Sequence, residues 1–170
     1  MDAVIPMDFY TQKPPLGEMD VPPMRVVTRA GLAELVASFS GITDSMGISQ
    51  PIDPFQGNVY GLLFDCEDKL AANVQVAYTN AIGMPFDPAP VVLYFDEQVV
   101  PSLVRLWSYP TGTFSTLNVP LENINVATSL VWDSNSNPVK TRSIRSEYNL
   151  RLAPLRLTTV HFYPRNYSNK

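Results

Sequence analysis

GNVYGLLFDCEDKLAANVQVAYTNAIGMPFDPAPVVLYFDEQVVPSLVRL, residues Gly57 to Leu106, decides the fold. Its apolar runs are short, and each is closed by acids, Gly, Asn or Pro. They are too brief for helices that pack well and too rich in β-branched and aromatic residues to favour them, so they read as strands joined by turns. Val74, Val76 and Tyr78 alternate with polar residues, the period of a half-buried strand.

Working outward, the same pattern recurs at the spacing of sandwiches and barrels. The expected strands are Val59–Phe64, Asn73–Tyr78, Val91–Phe95, Ser102–Trp107, Phe114–Val119, Ile124–Trp132, Tyr148–Leu152 and Arg156–Tyr163. In the last, Arg156, Thr158 and Val160 alternate with Leu155, Leu157 and Thr159. About eight antiparallel strands with long, irregular connections fit a single two-sheet jelly roll better than an up-and-down barrel. Asp133–Pro138 is a polar turn.

Upstream, residues 1–24 hold Pro6, Pro14, Pro15, Pro22 and Pro23, a density that blocks helix and interior strand and leaves an extended arm. Val4, Ile5, Met7, Phe9, Tyr10, Leu16 and Met19 are too many apolar residues for a solvated tail. The arm is therefore expected to lie along its own domain or to reach a neighbour. Residues 25–170 form the single β-sandwich domain. Leu32, Leu35, Val36 and Phe39 fall on one face of one short helix, with Thr28 as N-cap and Gly41 as stop. Residues 40–57 read as loop.

With 170 residues the chain needs no covalent staple for its core. Its single cysteine, Cys66, has no internal disulfide partner and reads as a buried thiol. No signal peptide is expected, because the first residues carry Asp2 and Asp8 and not a basic region with an apolar core. No 18-residue apolar run suggests a transmembrane segment. Charged residues make up 16%, below the usual quarter, as in a subunit covered by neighbours.

The net charge of −4 is unevenly spread. Residues 1–139 hold five Lys/Arg against fifteen Asp/Glu, and residues 140–170 hold seven against one. The first part is thus −10 and the second +6, an asymmetry able to orient one molecule on another. Alternatively, Lys140, Arg142, Arg145, Arg151, Arg156 and Arg165 simply alternate out of strands into solvent.

Catalytic readings find little to work with. His161 is the only histidine, sits between Val160 and Phe162, and reads as a packed or edge residue. Cys66 has nothing in sequence to lower its pKa, and no GxSxG elbow or phosphate loop occurs. Asp65, Glu67 and Asp68 form one acidic group and Asp96 with Glu97 a second. Paired carboxylates serve glycoside hydrolysis or hold Ca²⁺, but at strand ends they are also common turn formers. Trp107, Tyr109 and Trp132 either stack on a sugar or close the ends of the core. Neither cofactor nor metal is expected, and the protein reads as no enzyme.

A resemblance goes further. Val59-Tyr60-Gly61-Leu62-Leu63-Phe64-Asp65 is an aromatic/aliphatic run ending in an acid. Asn73-Val74-Gln75-Val76 follows as an alternating strand, then the turn Tyr78–Gly83, the Pro-rich loop Pro85–Pro90 and the apolar strand Val91–Phe95. This order resembles small phage structural proteins, including the vertex (penton) proteins of tailless, internal-membrane phages of the tectivirus type. Leu155–Tyr163 resembles their closing strand. The resemblance implies a minor capsid, penton or cement protein made in the host cytoplasm and housed in the virion.

The expected interface sets the basic side, Arg142, Arg145, Arg151 and Arg156, against the acidic loops Asp65, Glu67, Asp68, Asp96 and Glu97 of the next copy. The copies close into a ring, a pentamer being favoured. The arm extends to a major capsid or other shell protein. It is acidic, so no specific nucleic-acid binding is expected. The alternatives are a carbohydrate- or receptor-binding sandwich and, third, a cupin- or glycosidase-like enzyme.

Overall fold

The computed structural model describes residues 7–11, 42–43, 49–50, 53, 55–65, 67–98, 100–102, 104–133, 140–154 and 156–163, with backbone alone for 7–11, 42–43, 49–50, 132–133 and 140–149. It is all-β among these residues. The strands are β1 (Met7–Thr11), β2 (Ile42–Thr43), β3 (Ser49–Gln50), β4 (Gly57–Leu63), β5 (Val74–Asn80) and β6 (Val91–Phe95). They continue with β7 (Pro101–Ser102), β8 (Thr113–Val119), β9 (Asn123–Asp133), β10 (Lys140–Arg151) and β11 (Leu157–Phe162).

A six-stranded sheet in the order β1-β11-β4-β8-β6-β7 packs against a three-stranded sheet in the order β10-β9-β5, and β2 with β3 forms a small separate ladder. The core lies between the two larger sheets. Val59, Leu63, Tyr94, Phe114, Val160 and Phe162 come from one, and Val74, Val76, Tyr78, Ile124, Val126 and Leu150 from the other.

Two hydrogen bonds cross this apolar layer. The Tyr94 hydroxyl of β6 accepts the Val76 N–H of β5 at 2.8 Å, and the Tyr78 hydroxyl meets Thr116 Oγ1 of β8 at 2.8 Å. Burial pushes both phenol pKa values up, so the hydroxyls stay neutral.

The tyrosine bond also closes an edge. Val74 N–H donates to Ser108 Oγ, Ser108 N–H donates to Val74 O, and Asn80 N–H donates to Met84 O. The backbone groups that β5 turns away from β9 are thus occupied along most of the strand.

Three expectations change. The sheet is not wholly antiparallel: β11 runs parallel to β4, and β1 runs parallel to β11. Period-two alternation carries no information on strand direction, so the sequence pattern is blind to this. Ser102–Trp107 is not a strand beyond β7; there Arg105 N–H turns back to Ser102 Oγ and Arg105 Nε donates to Trp107 O. The third concerns β11, whose six residues are all buried, so it has no wet face.

Leu93, Leu117, Leu157, Thr159 and His161, on the face turned away from the second sheet, are buried as well. The larger sheet therefore loses water from both faces, the condition under which alternation disappears from sequence.

Met7–Thr11, within the stretch read as an arm, forms β1. The rest of residues 1–24 and the helix expected near residues 29–39 lie outside the described residues, as does Cys66. No described helix is long and apolar enough to cross a membrane.

Candidate functional site

β4 and β6 are both antiparallel to β8, with Leu62 opposite Thr113 and Tyr94 opposite Phe114. Both therefore finish at the end where β8 begins. The acidic loops that follow them leave from that same end, one strand apart, or about 10 Å.

Each loop is built on its first acid. Asp65 Oδ1 accepts the N–H groups of Glu67 and Lys69 at 2.8 and 2.9 Å, while Asp65 N–H donates to Lys69 O. Asp96 Oδ1 likewise accepts from Gln98 and Val100, at 3.0 and 2.8 Å, and Asp96 N–H donates to Val100 O. At the opposite end, Asn80 repeats the arrangement with Ile82 and Met84.

In the Asp65 and Asn80 loops the fourth residue takes a positive φ, Asp68 at 60° and Gly83 at 83°. Carboxylate and amide serve equally because the turn needs only a side-chain oxygen two atoms from the backbone. The N–H groups of Lys69 and Glu67 hold the Asp65 carboxyl below its ordinary pKa.

Asp65 and Asp96 are thus turn builders. Glu67, Asp68 and Glu97 stand exposed beside them, with Glu67 in a 2.7 Å surface pair with Lys69. Between the two loops, Thr111 Oγ1 donates to Phe95 O and Leu63 N–H donates to Gly112 O, which ties the end together. No group of three or more His, Cys, Asp or Glu able to hold a metal occurs among the described residues.

The arginines expected opposite the acids do not share one place. Arg142 pairs with Leu130, which pairs with Val74, so it lies toward the acidic end. Arg145 falls in the irregularity between Ile144 and Tyr148. Arg151 pairs with Asn123, and Arg156 precedes β11, so both stand exposed at the far end.

His161 is buried against Phe64, and desolvation lowers its pKa, as for a packed histidine. Phe64 stacks on Tyr163 at 4.6 Å. The Arg105 guanidinium lies 4.0 Å over the Tyr109 ring and 5.8 Å from that of Trp107. A sugar stacking on Tyr109 would have to displace it. Trp132 has only its backbone described.

Sequence reasoning missed the apolar side chains set among these turns. At the acidic end Leu70, Val100, Val104 and Leu106 are exposed, Val104 at 88%. At the far end Phe55, Ile82, Met84 and Leu121 are exposed, Ile82 at 84%. The available signal was the position of each within, or next to, a turn with a fixed hydrogen-bond pattern. Comparison with protein families, curated proteins and solved structures finds no match.

Proposed function

We propose that this protein is a structural subunit of a virus or phage particle, of minor capsid, penton or cement type, built on a jelly-roll-like sandwich. It acts by self-assembly and by contact with neighbouring shell proteins. The observation that carries the reading is the pair of apolar ends: Val104 and Ile82 are almost fully in water, on opposite ends of one sandwich. Large side chains held out from hydrogen-bonded turns lose little conformational freedom on being covered, so they suit contacts on more than one side.

The resemblance of Gly57–Leu106 to phage vertex proteins supports the same reading. So does the low share of charged residues.

Size-exclusion chromatography with light scattering on the full chain tests it. The wild type is expected as a discrete oligomer, with a pentameric ring favoured. Val104→Asp with Leu106→Asp is expected to shift it toward a smaller species that keeps the wild-type far-UV circular dichroism, since both side chains already face water. A wild type that stays monomeric at every concentration and salt level overturns the proposal.

A further inference from the structure

The two packed sheets have four edges, and they are treated differently. β5 is closed by Ser108 and Tyr94, and β7 is two residues long and begins with Pro101. Short strands and proline are ordinary ways of blunting an edge. Among the described strands nothing pairs with the outer side of β1 or of β10. We infer that these two edges are one interface: β1 of a second copy pairs with β10, and β10 of that copy pairs with β1.

The ladders show which backbone groups are on offer. Val74 and Val76 turn their N–H groups to Ser108 and Tyr94, so Gln75, Ala77 and Thr79 form the ladder to β9. Leu130 and Thr128 of β9 then face β10 and bond Arg142 and Ile144. Thr141 and Ser143 are left with N–H and C=O pointing outward.

On β11, Phe162 O accepts Phe64 N–H, so Thr158, Val160 and Phe162 face β4, while Leu157, Thr159 and His161 face β1. In the parallel register Thr159 bonds Asp8 and Tyr10, which leaves Met7, Phe9 and Thr11 facing outward.

Among the described strands, both edges lie on the same flank. β5 lies over β6 and β8 through the two tyrosine bonds, and Leu152, just after β10, meets the position a Gly57 Cβ would occupy on β4. The two sheets thus run across the sandwich in the same sense, ending in β10 and in β1.

The directions oppose. β1 is parallel to β11 and rises toward the acidic end, whereas β10 starts near that end and leaves it. A two-fold axis parallel to the strands exchanges the layers and keeps strand direction. It therefore places β1 of the second copy antiparallel to β10 and forms both junctions at once, an isologous contact.

Length and charge agree. β1 has five residues, and the regular stretch of β10 between its two irregularities, Thr141–Ile144, has four. Residues 140–145 carry Lys140, Arg142 and Arg145 and no acid; residues 1–11 carry Asp2 and Asp8 and no base. A β10–β10 pairing would oppose like charges, while β1–β10 opposes unlike ones.

This inference rests on the self-assembly reading, and sedimentation equilibrium of the full chain separates the two. Ser143→Pro deletes one outward N–H per junction and no bond to β9. Self-association should weaken by about tenfold or more. Arg142→Glu or Asp8→Lys alone should weaken it, and the two together restore it. That charge exchange decides the matter if the proline variant fails to fold. Variants that associate like the wild type overturn this interface and leave self-assembly standing, whereas a monomeric wild type overturns both.

Discussion

Tyr94→Phe isolates one hydroxyl in the middle of the sandwich. The ring stays, so the packing between the sheets is kept, and the only loss is the acceptor of Val76 N–H at 2.8 Å. Tyr94 and Val76 are both buried, so the amide finds no water in exchange. An orphaned buried donor costs about 1–3 kcal/mol. For a chain of this length that corresponds to a melting point lower by about 2–12 °C.

Two companions fix the scale. Ser108→Ala removes the acceptor of Val74 N–H and the donor to Ala71 O at once, so it should cost about twice as much. Tyr78→Phe breaks a bond between two hydroxyls, and Thr116 can rotate its own toward another acceptor, so about 0.5–1.5 kcal/mol is expected. Urea unfolding at fixed protein concentration reads all three, because self-association would otherwise shift the midpoint. A Tyr94→Phe cost below that of Tyr78→Phe would refute the claim that this hydroxyl closes the β5 edge. An unchanged midpoint for Ser108→Ala would do so equally.

Gly61→Ala should cost about 1–3 kcal/mol, because an added Cβ overlaps the ring of the fully buried Phe114; Phe114→Leu should recover part of the loss in the same unfolding assay. Asp65 has a lowered folded pKa, so its stabilisation is complete above the unfolded value and fades as pH falls through the folded one. Asp65→Asn keeps the Oδ1 acceptor and should flatten the fall in stability below about pH 4. His161 is also lowered, here by desolvation, and is neutral in the folded chain. Stability should therefore drop as pH falls below about 6.5, and His161→Phe should remove that slope while leaving the Asp65 window in place.

The strands were legible wherever β-branched or aromatic residues alternate between turn formers. Val91–Phe95 is a strand with those very bounds, and the strands expected around Val59, Asn73, Phe114, Ile124 and Leu157 differ only at their ends. Ser102–Trp107 misled because Val104, Arg105 and Leu106 alternate like a strand while its polar groups bond locally. Lys140–Arg145 drew notice for its bases, as an interface or alternatively a solvent-facing set, with Tyr148–Leu152 as the expected strand, although one twelve-residue strand, Lys140–Arg151, spans most of this stretch. The turn role of Asp65 and Asp96 was readable, since an Asx side chain at a strand end has backbone amides within reach. That Asn80 builds the same loop was not, because Asn80 carries no charge to mark it and the geometry needs only an oxygen. The arginines' places depend on register, which no local pattern encodes.

Register also changes what the charge asymmetry means for assembly. Read as sequence, −10 against +6 suggests acidic loops meeting a basic tail. In the fold, Asp65, Glu67, Asp68, Asp96 and Glu97 share their end with Lys69 and Arg105, while Arg151 and Arg156 share the other with Asp87 and Glu122. Contacts between ends therefore gain little from charge and must rest on side chains such as Val104 and Ile82. The acidic end keeps three acids in excess, but the far end offers no matching surplus of bases; the opposite charges that can meet lie along a flank, on Lys140–Arg145 and on Asp8 of β1. Salt separates the two kinds of contact, because screening weakens charge pairing and leaves apolar burial intact. Raising ionic strength from about 0.05 to 0.5 M should release the flank junction while end contacts persist. Sedimentation velocity should then show one association step lost and one kept. Loss of both together would mean that the ends, too, depend on charge, and would overturn this division.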